Sequence, residues 1–139
     1  MGLTAFGDDM IYYIDRKYNF IELFNKENGT LARSNIICNG IETDEEPLLR
    51  SFPELIDIGV MGTCYAGLSG MCKKAGVDCY QNAINKQRTN MNLEDYKNII
   101  SQCKNKVFQV ALGGAGDPNK HENFEQLLKL ARDNNRYKE

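Results

Sequence analysis

No basic excess runs through this sequence. Its 139 residues hold 17 lysines and arginines against 19 aspartates and glutamates, a net charge of −2. That balance excludes the broad positive field that binding to nucleic acid or to an anionic membrane surface calls for. No apolar run approaches the roughly 18 residues of a membrane-spanning helix. The opening residues, Met1-Gly2-Leu3-Thr4-Ala5-Phe6-Gly7-Asp8-Asp9, form neither a basic n-region nor an apolar h-region, so a cytoplasmic rather than secreted protein is expected. Gly2 stands where myristoylation acts, but Phe6 occupies the position that wants Ser or Thr. Histidine is scarce: with His121 alone, no Ser/His/Asp or Cys/His catalytic set is arguable. Disorder is excluded by 42% hydrophobic and 26% charged residues. The length fits one ordinary domain or less.

Cysteine is the unusual component: Cys38, Cys64, Cys72, Cys79 and Cys103. An odd count without an export signal argues against a complete disulfide framework. Three of the five fall within sixteen residues. In a reducing compartment such a cluster more often holds a metal or does redox chemistry.

The N-terminal part reads as β-structure. Met10-Ile11-Tyr12-Tyr13-Ile14 and Tyr18-Asn19-Phe20-Ile21-Glu22-Leu23-Phe24 are rich in aromatic and β-branched residues, although the second run does not alternate cleanly. Asn25-Lys26-Glu27-Asn28-Gly29 is a turn signal, and residues 30–37 return as a partner strand, giving a hairpin or small meander. An acidic connector follows over residues 39–47 and reads as a solvated linker, with the wrong ligand rhythm for a calcium loop. Residues 1–47 are thus expected to form a β-hairpin extension and linker, and residues 48–139 a separate α/β region.

In that region Glu54-Leu55-Ile56-Asp57-Ile58-Gly59-Val60-Met61-Gly62 suits a buried parallel strand. A glycine-rich loop carrying the cysteines follows over residues 63–80. Asn92-Leu93-Glu94-Asp95 then offers an N-cap, and Tyr96, Ile99, Ile100 and Cys103 form one apolar helical stripe, with Lys104 and Lys106 at its C-terminal end. A second strand over 107–112 ends in Gly113-Gly114-Ala115-Gly116-Asp117-Pro118. A second helix over 122–134 turns Phe124, Leu127, Leu128 and Ala131 inward. Two consecutive βα units with right-handed crossover place both loops at one carboxyl edge of a parallel sheet, where ligands bind. The cysteine loop and the glycine turn are therefore expected to face one another.

Cys64, Cys72 and Cys79, separated by seven and six residues, supply three thiolates and leave a coordination position open. Spacing alone leaves an iron–sulfur cluster, a zinc ion and unliganded redox thiols as alternatives. Cys103 reads as a small hydrophobe on its helix. Cys38 ends a strand, and a ligand role for either is the minor reading. The 113–118 turn is neither a P-loop nor a dinucleotide fingerprint. It exposes backbone for a ligand's close approach, or it is a tight βα turn with Asp117 starting the helix. His121 is expected to cap the second helix or lie at the surface, with a loop carbonyl or a ligand as other partners.

At these residues the sequence resembles a known family. Phe52-Pro53-Glu54-Leu55-Ile56-Asp57-Ile58-Gly59-Val60-Met61-Gly62-Thr63-Cys64, then Ser69-Gly70-Met71-Cys72-Lys73-Lys74-Ala75-Gly76-Val77-Asp78-Cys79-Tyr80-Gln81, resemble the N-terminal part of radical S-adenosylmethionine (SAM) proteins. Phe108-Gln109-Val110-Ala111-Leu112-Gly113-Gly114-Ala115-Gly116-Asp117-Pro118 is similar to that family's second strand and SAM-binding turn, and His121-Glu122-Asn123-Phe124 continues the likeness. It spans about residues 45–134.

The resemblance implies that Cys64, Cys72 and Cys79 ligate three irons of a 4Fe-4S cluster whose fourth iron takes the amino and carboxylate groups of SAM. It implies that Gly113, Gly114, Gly116, Asp117 and Pro118 receive the methionine moiety. It also implies a low-potential electron donor of flavodoxin or ferredoxin type and reductive cleavage of SAM to a 5′-deoxyadenosyl radical. The cysteine spacing is wider than the family's commonest one. Asp78 rather than an aromatic residue precedes the last cysteine, and the turn reads Gly-Gly-Ala-Gly-Asp-Pro rather than Gly-Gly-Glu-Pro. The fold class so implied is α/β: an N-terminal β-hairpin and the first two βα units of a partial (βα)6 radical SAM barrel. A truncated product, or one piece of a split protein completed by a partner chain, is the matching expectation. Such a chain lacks the substrate site, and turnover by it alone is left open. The alternatives are a zinc module built on the three cysteines with Cys38 or His121, and a non-catalytic interaction fragment.

Overall fold

The structure, a computed structural model, describes residues 2–36, 40 and 51–134. Cys38, the connector over residues 41–47, the expected boundary at 47/48 and the tail after Asn134 lie outside the described residues. The chain divides into two compact units. The first draws on the described residues up to Leu55 and on Cys103–Gln109; the second comprises Ile56–Gln102 and Val110–Asn134.

The first unit is built on an antiparallel meander, β1 (Thr4–Phe6), β2 (Met10–Asp15), β3 (Phe20–Asn25) and β4 (Leu31–Asn35), in spatial order β1-β2-β3-β4. The expected hairpin is thus four strands, and β1, three residues long, carries too little pattern to read in advance. Short polar side chains set its turns. Asp15 Oδ1 accepts from the Lys17 and Tyr18 amides at 3.0 and 3.1 Å, closing the β2–β3 connection. Asn25 Oδ1 accepts from Glu27 and Asn28 at 2.8 and 3.1 Å, and Gly29 takes φ +74°, closing the next one.

The two-residue period then decides what is inside. Ile11, Tyr13 and Asp15 of β2 and Phe20, Glu22 and Phe24 of β3 are buried. The β3 alternation is strict after all. It escapes a hydrophobicity count because Glu22 occupies an inward position while Leu23 points outward. Glu22 lies opposite Arg33 in the β3–β4 register, and their Nε–Oε1 distance is 3.3 Å. Arg33 Nη2 also pairs with Glu54 Oε1. The Phe24 ring stacks on Phe108 at 5.3 Å between centroids, joining Leu3, Ile11 and Tyr13 in one apolar cluster.

The second unit centres on a two-stranded parallel sheet of β5 (Leu55–Met61) and β6 (Gln109–Gly114). Its direction shows in the hydrogen bonds: Phe108 N–H donates to Glu54 O at 2.8 Å, and seven residues further along both strands Ala115 N–H donates to Met61 O at 2.7 Å. Helix α3 (Leu93–Cys103) starts as expected: Asn92 Oδ1 accepts from the Asp95 amide at 2.8 Å, and Asn92 Nδ2 returns a 2.8 Å bond to the Asp95 carboxylate. Helix α4 (Phe124–Asn134) follows β6. Ile58, Val60, Met61, Tyr96, Ile100 and Leu127 form the core.

Two sequence expectations need correction here. β6 starts and ends two residues later than the expected 107–112, so Gly113 and Gly114 are strand residues rather than turn. Leu128 does not face inward but is 48% exposed, because α4's buried face runs through Leu127, Leu130 and Ala131. The described elements form an α/β chain with two βα units; a barrel is not among them.

The Arg33 guanidinium bridges the Glu22 and Glu54 carboxylates in the first unit. Arg33→Ala is expected to cost about 1–3 kcal/mol. Urea denaturation measures it, and Glu22→Gln added to that variant should recover part of the loss.

Asp15 gives a pH prediction. Burial pushes its carboxyl up, but hydrogen bonds from Ser51 and from the Tyr18 and Lys17 amides outweigh burial and hold it below the usual carboxylate range. A depressed native pKa stabilises the fold above the unfolded value of about 3.9 and ceases to do so as pH falls through the native one. Asp15→Asn should therefore be less stable than wild type at neutral pH, and the gap should close as thermal melts are taken to pH about 4 and lower.

Candidate functional site: the cysteine loop and the glycine turn

Beyond Met61 the chain enters the cysteine loop, and its first residues are held by a segment some twenty-five positions away. Arg88 N–H donates to Gly62 O at 2.8 Å and Met91 N–H to Val60 O at 2.9 Å. The approach is so close that a Cβ on Gly62 would stand 2.1 Å from Thr89 O, so residue 62 has to be glycine. Asn90 Oδ1 accepts from the Gly62 and Thr63 amides at 3.1 and 3.2 Å, while its Nδ2 donates to Glu122 at 2.8 Å. That amide holds the Glu122 carboxyl below the usual carboxylate range. Thr63 Oγ1 donates to Arg88 O at 2.8 Å.

Gln87 extends the clamp to the first cysteine. Its Oε1 accepts from the Cys64 amide at 3.0 Å and its Nε2 donates to Ala83 O at 2.8 Å. Ala83 in turn donates its N–H to Cys79 Sγ at 3.5 Å. A relay of Gln87 and Ala83 thus links the first and last cysteines of the loop. Sequence reasoning missed Gln87 and Asn90. Each sits in a polar stretch where an amide side chain carries no periodic signal.

Inside the loop the expected irregular chain is replaced by short helical turns. Cys64 caps α1 (Tyr65–Leu68), its Sγ accepting from the Gly67 amide at 3.3 Å. Cys72 lies in α2 (Met71–Lys74). Cys79 precedes a 3-10 turn at Ala83–Asn85. All three are half-buried free thiols. The Ala83 amide, followed by those of Gln81 and Asn82, outweighs burial and holds the Cys79 thiol below its ordinary value. Cys103 is buried on α3, where burial pushes its thiol up, matching its reading as a small hydrophobe.

The glycine turn meets this loop at its base. Gly114 takes φ +124°, and a Cβ there would lie 2.3 Å from Met61 O. A Cβ on Gly116 would lie 2.4 Å from Thr63 O and 3.0 Å from Cys64 Cα. Any side chain at either position would push the two loops apart. Gly113 lies beside Asp57, whose Oδ1 would be 3.3 Å from an added Cβ. Asp117 caps the 3-10 turn Pro118–Lys120, its Oδ1 accepting from Asn119 at 3.3 Å, which is the helix-start role considered for it.

His121 is buried, which corrects the surface alternative. Its Nε2 lies 2.9 Å from Met91 O, and its Nδ1 accepts from the Asn123 amide at 3.0 Å beside the start of α4. The loop-carbonyl contact foreseen for it is present.

The structure brings Cys64 and Cys79 into one hydrogen-bonded frame and sets the glycine turn against Cys64. Among the described residues, no three His, Cys, Asp or Glu side chains converge as a metal-ligating group. No family model, curated protein or solved structure matches the chain.

Asn90→Ala would leave the Gly62 and Thr63 amides without their shared acceptor and release Glu122. A loss of about 1–3 kcal/mol is expected, read by thermal or urea denaturation. Asn90→Asp, which keeps the acceptor oxygens but turns the donor to Glu122 into a second carboxylate, should fall between the two at neutral pH.

Proposed function

We propose that the second unit is the cluster- and cofactor-binding end of a radical SAM protein. In this reading Cys64, Cys72 and Cys79 ligate three irons of a 4Fe-4S cluster, and residues 113–118 receive SAM. The observation that carries it is the backbone contact of Gly116 with Thr63 and Cys64. A glycine of the turn lies against the residue that opens a three-cysteine loop, at the carboxyl ends of two parallel strands. Ligands of parallel sheets bind at such an edge.

The donor set suits an iron–sulfur cluster. Backbone amides already point at two of the sulfurs, Gly67 at Cys64 and Ala83 at Cys79. N–H···S bonds of this kind favour the thiolate that ligates metal, and they tune the potential of a bound cluster. Cys72 completes the set by a rearrangement of the short turns between Gly70 and Gly76, both of which hold positive φ. Metal binding and local folding are then one event. When bound and reduced by a low-potential flavodoxin- or ferredoxin-type donor, the cluster supplies the electron that splits the SAM sulfonium into methionine and a 5′-deoxyadenosyl radical.

This chain's own residues do the positioning. Gln87 and Asn90 fix where Cys64 starts, and Gly114 and Gly116 let the turn come within van der Waals contact of it. Asp117 shapes the turn by capping it. A zinc site completed by His121 is disfavoured, because both ring nitrogens already hold backbone partners.

Anaerobic reconstitution with ferrous iron and sulfide tests the reading. The chain should take up about four irons and four sulfides. Addition of SAM should alter the electron paramagnetic resonance spectrum of the reduced protein. The Cys64→Ala, Cys72→Ala, Cys79→Ala triple variant should stay iron-free, while Cys103→Ala should load normally. A colourless, iron-free wild type, or a triple variant that loads fully, would refute the assignment.

A further inference from the structure

The first unit holds a cavity of about 420 Å³ that uses no residue of the cysteine site. Its lining includes the basic Arg16, Lys17 and Lys106 and the apolar Ile14 and Phe52. That volume lies within the range of about 300–1,000 Å³ typical of small-molecule sites.

Its charge runs against that of the chain, which is −2 overall. Among the described lining residues, three cations stand against one carboxylate, Asp15. The Asp15 oxygens are engaged in construction. Oδ1 holds the Lys17 and Tyr18 amides, setting the turn that presents Arg16 and Lys17. Oδ2 accepts from the Ser51 amide at 3.0 Å, which fixes the segment carrying Phe52. Two ammonium groups are placed by rings: Lys106 Nζ lies 4.9 Å from the Phe52 centroid, and Lys17 Nζ 4.6 Å from that of Tyr18. One buried carboxylate thus organises a basic recess with an aromatic wall.

We infer that this recess binds an organic phosphate monoester. The phosphate dianion sits among Arg16, Lys17 and Lys106, and the apolar or aromatic body lies against Phe52 and Ile14. The described lining is basic, which suits a dianion, and a guanidinium with two ammonium groups suits phosphate oxygens. The apolar wall distinguishes an organic ester from the bare ion.

Isothermal titration of the full chain with phenyl phosphate, inorganic phosphate and phenol tests this. Phenyl phosphate should bind one per chain and more weakly as salt is raised, inorganic phosphate about tenfold more weakly or worse, and phenol undetectably. Arg16→Glu with Lys17→Glu changes two exposed positions, so the fold should persist by circular dichroism while phenyl phosphate affinity falls about tenfold or more. Phe52→Ala should weaken phenyl phosphate more than it weakens inorganic phosphate. Absence of saturable phenyl phosphate binding, unchanged affinity in the charge-reversed protein, or inorganic phosphate binding as tightly as the ester would overturn the proposal. None of these readouts depends on iron or SAM, so failure here and failure of the cluster assignment are separable.

Discussion

The second unit depends on a backbone contact that only glycine permits. Gly114 and Gly116 run so close to Met61, Thr63 and Cys64 that any side chain at either position would collide with main-chain atoms. Gly62 is bound the same way against Arg88 and Thr89. Three segments distant in sequence therefore meet main chain to main chain. Their amides and carbonyls pair with one another and with Asn90 and Gln87. Such a junction is stiff, because there are few side-chain rotamers to adjust and each buried amide needs its partner. A stiff base under a loop of short, glycine-punctuated turns suits a ligand that orders the loop on arrival.

The first unit solves a different problem, that of charge inside a small sheet. Glu22 and Asp15 occupy inward strand positions, and each is tolerated for a stated reason. Glu22 has Arg33 across the ladder, shared with Glu54. Asp15 accepts from three backbone amides that would otherwise lack partners in tight connections. In each case a buried carboxylate is compensated, and removing the compensating partner is what costs stability. What Asp15 adds is geometry: it fixes where Arg16, Lys17 and Phe52 point, and so it builds the basic recess.

Much of this was legible in the residues. The apolar run ending at Gly62 marked β5, the Asn92–Asp95 pair marked the start of α3, and the turn over residues 25–29 read directly from Asn and Gly. These signals are local, and local physics decides them. The two βα units likewise placed the cysteine loop beside the glycine turn. Other features depended on partners the sequence does not juxtapose. Glu22 blurs the alternation of its strand until Arg33 stands opposite it. Gln87 and Asn90 act on amides more than twenty positions away. Gly113 and Gly114 read as turn residues, yet they extend β6, and at Gly114 the main chain of Met61 leaves no room for a side chain. Leu128 lies one residue off the buried face of α4, an angular error that a short apolar cluster invites. The helical turns within the cysteine loop are four residues each, too short to leave a periodic mark.

The account rests on the two loops touching through Gly116 and Cys64, and nuclear Overhauser spectroscopy of the metal-free protein observes that contact directly. A cross-peak between the Gly116 and Cys64 α-protons is predicted, together with slow amide exchange at Gly62, Thr63 and Cys64. Absence of that cross-peak in a folded, assigned protein, with the three amides exchanging as fast as those of an exposed turn, would contradict it.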